Sequence, residues 1–409
     1  VPGGRAATAA RLATVLFVVL LLALSLPSPS RRAPRASPAG AFRQTLRIGV
    51  LAPVTGPYAG GGVSFLQAVH LAAEEANARG GVLGRRVELV EADTQGKVET
   101  ARAETLRLVS REKVAALVGA YLSEETVGVI EAAAASRTPV IVPVAATEEI
   151  TDRVRREPRR FRHVFRVSYS ISQWAAMMGE FMKTQGVRRY AFVGAAIRWN
   201  RELAAALRAN LARAGAEPAY EGFYSPGNPT FEPVAVAAAA ARPDLVVLGD
   251  PGKNAVAFVK RLREIAPRLP VLSVGGTLGD ARVAAALPLD GPLYVQAAAW
   301  RGSSAAATRY VEAFERRFGF APVGYSDTLP HDALTVLLEA VRQAGRTDAE
   351  AIIAALERGA FPAAAGTYRF DEAHQARWGL SASELHGVVV AWERGGRARI
   401  VFPRPQAAP

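Results

Sequence analysis

The chain has 409 residues, half of them hydrophobic and 21% charged, which is ordinary for a globular protein and enough for two or three domains with large cores. It has no cysteine, which excludes disulfides, cysteine nucleophiles, thiolate metal sites and a lipid anchor on an amino-terminal Cys. The net charge is +13, but five arginines and no acids stand in residues 1–41, so the remainder carries +8, spread along the chain.

In chain order, Arg5 and Arg11 precede an apolar run from Leu12 to Leu26, then Pro27, Pro29 and small residues ending Ala39-Gly40-Ala41. This pattern predicts a secretory signal peptide cleaved after Ala41. The run falls short of the roughly 20 apolar residues a spanning helix needs, so a retained anchor is the lesser reading. The expectation is a soluble periplasmic protein beginning at Phe42.

Leu46 to Ala52 reads as a buried strand of the parallel-sheet kind, followed by a turn through Pro53, Gly56 and Pro57. Ser64 with Gln67 predicts an N-cap, and Phe65, Val69, Ala72 and Ala76 draw an apolar stripe on a helix that ends at Gly80 and Gly81. Val87 to Val90 is a second strand, so the unit is strand, crossover helix, strand, with its loop at the carboxyl end of the first strand, where ligands bind in such folds. The alternation continues with a helix from Lys97 to Ser110, a strand Val114 to Val118, a helix opened by Gly119 to Thr126, a strand Thr138 to Val142 and its loop Pro143 to Thr147.

The basic cluster Arg153, Arg155, Arg156, Arg159, Arg160 and Arg162 is broken by acids and Pro158, has no interleaved aromatics, and reads as a solvated loop, not a nucleic-acid patch. After an extended Phe165-Arg166-Val167 the pattern restarts: strands at Tyr190–Val193, Tyr220–Tyr224, Leu245–Leu248, Val271–Val274 and Leu293–Ala297 alternate with helices. Helices at 305–318, 332–344 and 349–357 follow, then a late hairpin pairing Thr367–Phe370 with Gly387–Trp392, and a tail from Pro403 to Pro409.

The residues IGVLAPVTGPYA (Ile48 to Ala59), EEANARGGVLGR (Glu74 to Arg85) and Asp93 with Gln95 resemble, in order over about fifty residues, the solute-binding proteins of ABC importers for branched-chain amino acids, the leucine/isoleucine/valine-binding family. The resemblance implies an α/β chain of two doubly wound lobes joined by three crossovers, the type I periplasmic binding protein fold. It divides the chain into lobe one (42–166 and 298–375) and lobe two (167–297 and 376–402). The implied ligand sits between the lobes. Matching the family's site residue by residue assigns it to Ser123, the Ala145 carbonyl and Thr147. By spacing alone Ser123 and Thr147 read as helix caps. Tyr58 covers the ligand or packs on its neighbours. Trp199 stands where relatives carry Tyr before Gly, and its polar neighbours suggest a loop. Asp250 is a second-lobe contact or a helix cap.

One departure bears on the ligand. Relatives accept the ligand's ammonium with an acid where this chain has Thr277, so a zwitterionic amino acid is disfavoured unless Asp250 or Asp280 replaces it, and a small carboxylic acid, amide or aromatic acid competes. The five histidines have no metal spacing, and nucleophile-elbow, phosphate-loop and dinucleotide fingerprints are absent, so no enzyme, cofactor or metal is expected. His331 with Asp332 reads as a capping or packing pair. The expected role is the extracytoplasmic solute-binding component of an ABC importer, a monomer that closes on a small-molecule ligand and delivers it to membrane permease subunits. The alternative is a ligand-sensing subunit of a signalling system.

Overall fold

The computed structural model describes residues 42, 44–226, 230–250, 254–380 and 385–403. The expected signal peptide and all but the first residue of the expected tail lie outside the described residues. Two parallel-stranded sheets carry the molecule. The first consists of β1 (Thr45–Ala52), β2 (Arg86–Asp93), β3 (Ala116–Val118), β4 (Val140–Val142) and β5 (Val164–Arg166), all parallel in the order β2-β1-β3-β4-β5. The second is built on β6 (Arg189–Ala195), β7 (Glu217–Tyr224), β8 (Leu245–Gly249), β9 (Val271–Val274) and β10 (Leu293–Ala297). After a short separate pair, β11 (Phe361–Pro362) and β12 (Thr367–Tyr368), two antiparallel strands, β13 (Val388–Glu393) and β14 (Arg397–Phe402), complete its edge, in the order β14-β13-β10-β9-β8-β6-β7.

The near-continuous apolar strands follow from burial on both faces. Ile48, Val50, Ala116, Val118 and Ile141 point to one side of the first sheet, onto helices Ala59–Ala78 and Thr328–Ala344, while Leu51, Leu117, Val140 and Val142 point to helices Val98–Ser110 and Ser123–Ala133. In the second sheet Tyr190, Phe192, Leu245 and Val247 face one way and Ala191, Val193, Val246 and Leu248 the other. Helix Ala305–Phe318 lies on Ala68 and Leu71 through Tyr310, Val311 and Phe314.

Three local expectations are corrected. The first helix begins at Ala59, not after a cap at Ser64, because Gly60, Gly61 and Gly62 form its opening turn, with Gly62 N–H donating to the Tyr58 carbonyl at 3.1 Å. Gly62 has to be glycine there, since a Cβ would stand 2.0 Å from the Pro53 oxygen. The arginine cluster is not a loop: it forms the short helices Glu149–Arg156 and Pro158–Phe161, made possible by acids placed to take the charge. Arg153 pairs with Glu149 and Glu131, Arg160 with Glu131, and Arg162 with Glu350 and Glu357. The late hairpin joins β13 to β14 through the three residues Arg394, Gly395 and Gly396, the glycines adopting φ of 86° and 74°, while Thr367–Tyr368 pairs with Phe361–Pro362.

Where the chain passes between the lobes, two crossing segments are bonded to each other: Arg166 N–H donates to the His374 carbonyl at 2.9 Å and Ala376 N–H to the Arg166 carbonyl at 2.9 Å. His331 and Asp332 sit inside the helix Thr328–Ala344. Asp332 accepts from Ala364 N–H (2.9 Å), Ala365 N–H (2.8 Å) and the Tyr368 hydroxyl (2.9 Å), so its work is to hold the segment that follows the last long helix.

Candidate ligand-binding site

Three loops at the carboxyl ends of the first sheet are fixed by polar side chains, the half-buried Asp93 and the buried Glu125 and Arg166. Asp93, at the end of β2, accepts from Val54 N–H (3.0 Å), Gln95 N–H (2.9 Å) and the Thr55 hydroxyl (2.5 Å), which ties down the loop after β1. Glu125 accepts from Leu122 N–H at 3.0 Å and from the Thr94 hydroxyl at 2.7 Å, setting where the helix Ser123–Ala133 begins; burial pushes its carboxyl above the usual range despite these bonds. Arg166, fully buried, donates to the Thr147 carbonyl at 2.5 Å and to the Thr151 hydroxyl at 3.2 Å and so supports the loop after β4 from beneath. Burial lowers its pKa to about 10.

Between these loops and the second lobe lies a narrow apolar cavity in which water-sized spheres can be centred over about 30 Å³. Its walls are Tyr121, Val144, Ala145, Trp174, Ile197, Trp199 and Tyr325. The rings form one aromatic block: Trp174 lies 5.1 Å from Trp199 and 4.7 Å from Tyr325 between centroids. Four buried polar atoms on this cavity have no partner, namely Ser123 Oγ, Glu124 Oε2 and the indole nitrogens of Trp174 and Trp199. An unsatisfied buried group costs about 1–3 kcal/mol, and few survive in a folded protein without a reason. Finding four on one cavity between lobes marks it as the place where something polar binds.

Tyr121 and Gly275 also border a second chamber of about 340 Å³, lined by Tyr58, Gly61, Ser64, Asp280 and Ser326. Tyr121 is the partition, and burial drives its hydroxyl pKa upward. Tyr58 is raised to about 12, first by burial and then by the carboxylates of Asp250, Glu124 and Glu125.

The structure brings Ser123, Ala145 and Trp199 to the apolar cavity. Trp199 lies in the first turn of the helix Arg198–Ala212, not in a loop; of the flanking polar residues that suggested a loop, Arg198 forms ion pairs, Arg201 is exposed, and Asn200 is buried, its amide donating to the Ala195 and Gly249 carbonyls at 2.7 Å each. The Ala145 carbonyl already accepts from the Ser168 hydroxyl at 2.9 Å. Tyr58 belongs to the second chamber. Thr147 lines a separate, charged crevice, its hydroxyl donating to Glu202 at 3.1 Å. Asp250 is buried and accepts from the Tyr224 hydroxyl at 2.5 Å. Asp280 caps the helix Ala281–Ala285 and pairs with Arg282 at 2.6 Å, which holds its carboxyl below the usual range although burial alone would raise it. Thr277 begins a short 3-10 turn, and its side chain lies outside the described residues.

Glu124, Trp174, Tyr121 and Tyr325 escaped the sequence reading. Glu124 stood next to a chosen residue and was legible as an acid in the first turn of a helix; the three aromatics lie far apart in the chain and carry no local signal.

Comparison with known proteins agrees with this geometry. The family model described as "Periplasmic binding protein" matches residues 45–384. An "Amino acid binding protein" of Pseudomonas aeruginosa is 27% identical over 307 residues, which is 74% of this chain and 79% of that protein. Among solved structures, the branched-chain amino acid transporter substrate-binding protein LivJ of Streptococcus pneumoniae, in complex with isoleucine, superposes with a TM-score of 0.74 at 19% identity over 88% of this chain and 100% of its own. An ABC transporter solute-binding protein of R. palustris in complex with benzoate gives a TM-score of 0.75 at 22% identity over 87% of this chain and 95% of its own. Two lobes of parallel sheet, a cavity between them built from carboxyl-end loops, and a family match spanning most of the sequence together make this chain a member of the periplasmic binding protein family.

Proposed function

We propose that the chain is the extracytoplasmic solute-binding component of an ABC importer, taking a small amino acid or a related carboxylate or amide between its lobes and presenting it to permease subunits in the membrane. The observation that carries this is the set of four unpaired polar atoms on one aromatic cavity at the lobe boundary. Indole N–H groups, the Ser123 hydroxyl and the amino end of the helix Ser123–Ala133 suit a ligand carboxylate or carbonyl, and the aromatic block suits an apolar body. The relatives named above support the same class.

Ligand contacts from both lobes stabilise the closed form, and the permease reads closure; no bond is made or broken. In this reading the protein works in the periplasm as a monomer after cleavage following Ala41, and its lobes comprise 42–166 with 298–375 and 167–297 with 376–402. Ser123, Ala145 and Trp199 contact the ligand directly, Tyr58 and Asp250 border it, and Thr147 and Thr277 act at the rim.

The test is a thermal-shift screen of refolded residues 42–409 against amino acids, their deaminated acids, amides and aromatic acids, followed by solution scattering with each hit. Refolding removes ligand carried through purification. At least one small solute should raise the melting temperature and shrink the radius of gyration. Stabilisation without compaction, or no stabilisation by any solute of these classes, overturns the reading.

A further inference from the structure

We propose that Glu124 determines the ligand class, presenting a carboxylate oxygen from the first lobe that selects ligands carrying an amino group over the matching deaminated acids. This rests on the solute-binding reading above and assigns that site its ammonium acceptor.

The two carboxylate oxygens of Glu124 differ in their surroundings. Glu124 Oε1 accepts from the backbone N–H of Arg198 at 3.1 Å, a bond that reaches from the first lobe to the second. That bond fixes the carboxylate in place, and the other oxygen, Oε2, is buried on the cavity with no partner. An ionised carboxylate accepts and cannot donate, so only a donor can satisfy Oε2.

Among the described residues no donor bonds Oε2, although the Ser123 hydroxyl and the two indole N–H groups belong to residues of the same cavity, and no cation of the protein lines it. Glu124 is the single charged residue among those described that line the cavity. The guanidinium of Arg198, adjacent to the bond just named, is committed to Glu149 and Glu202, each at 2.6 Å. Asp250 and Glu125 lie close enough, with Glu124, to push the Tyr58 hydroxyl upward. Carboxylates of both lobes therefore act on Tyr58, and of the three Glu124 is the one that lines the cavity.

A ligand with only a carboxylate would meet this field with like charge, whereas an ammonium gives Oε2 a charge-assisted donor and can rest against the rings of Trp174, Trp199 and Tyr325. The same ligand's carboxylate then falls to Ser123 and the indole N–H groups. An acid at the position of Thr277 is not required, because the acid has moved to the other lobe.

The experiment uses refolded residues 42–409, wild type and Glu124→Gln, titrated calorimetrically with matched pairs: leucine and 4-methylpentanoate, phenylalanine and 3-phenylpropanoate, isoleucine and 3-methylpentanoate. Gln keeps an oxygen for Arg198 N–H and removes the charge, so closure is preserved and its melting temperature serves as the folding control. The expected result is that wild type binds amino members only and Glu124→Gln weakens that binding on the order of thirtyfold while the amine-to-acid preference collapses. Preference of wild type for the deaminated acids, or unchanged amine binding in Glu124→Gln, overturns this inference and leaves the solute-binding reading standing. Binding of no member of any pair, nor of any other solute in the wider screen, overturns both.

Discussion

Arg198 and Glu149 form a 2.6 Å ion pair that spans the cleft, from the amino end of a second-lobe helix to a helix following the third loop of the first lobe. The same guanidinium pairs with Glu202, one turn along its own helix, and Glu202 in turn accepts from the Thr147 hydroxyl. The rim of the cleft is thus closed by a charged chain, beside a cavity whose walls are apolar.

Replacing Arg198 with Ala tests that chain. The pair is about a third exposed, so it is worth about 0.2–1 kcal/mol and screened by salt. Arg198→Ala should weaken ligand binding roughly two- to fivefold at low ionic strength, and the difference should shrink in 0.5 M salt, measured by calorimetry at both. An effect independent of salt would place the role of Arg198 elsewhere.

Trp199→Phe retains an aromatic wall and deletes one unpaired donor. If the indole N–H bonds the ligand, affinity falls by about 1 kcal/mol while the apo protein is as stable as before or slightly more so, because a buried unsatisfied group has been removed. Trp199→Ala should cost affinity and stability together, since it opens a void beside Trp174. Denaturant melts with and without ligand separate the two.

Stability should be dome-shaped in pH, with one histidine on each side. His163 is lowered to about 4, chiefly by burial. Its folded pKa lies below its unfolded value, so its contribution is present above about 6.5 and lost as pH falls toward 4. Burial would also lower His331, but its bonds to Asp332 and Glu75 outweigh this and raise it to about 9. Its contribution is complete below about 6.5 and lost as pH rises through 9. Each limb should be worth on the order of 2 kcal/mol in urea melts, and His331→Gln should flatten the alkaline limb alone.

The three glycines that open the first helix should behave differently under the same substitution. A Cβ on Gly60 meets nothing within 4 Å, so Gly60→Ala should stabilise by about 0.5–1 kcal/mol through helix propensity. On Gly62 it would meet the Pro53 carbonyl, and Gly62→Ala should destabilise by about 1–3 kcal/mol. On Gly61 it would reach 2.3 Å from the Tyr121 hydroxyl. Tyr121 must then shift between the two chambers, so Gly61→Ala should alter affinity more than stability. Melting temperatures and ligand titrations of the three variants check this.

Much of the fold was legible because it rests on local periodicity. Runs such as Leu46–Ala52 and Leu245–Leu248 can only be strands buried on both faces, and Gly80 with Gly81 can only end a helix. Errors arose where a distant residue decided a local choice. Gly60 to Gly62 looked like a loop because the Pro53 carbonyl and Tyr121 that demand glycine are not neighbours in sequence. The arginine cluster looked unstructured because its partners Glu131, Glu350 and Glu357 lie far along the chain.

The sequence by itself determined the alternation of strands and helices and the loops that follow the strands, since these rest on short-range patterns, and its resemblance to a family supplied the two-lobed architecture. Only the tertiary structure decided which groups in those loops lack partners. Glu124 and Ser123 are adjacent in sequence, yet the free oxygen of Glu124 exists because Arg198, in the other lobe, occupies its twin. The indole nitrogens of Trp174 and Trp199 are likewise buried without a partner, on two rings that lie 5.1 Å apart although 25 residues separate them in sequence. Hydrogen-bond satisfaction is a property of the whole packed molecule, and no short stretch of sequence encodes it.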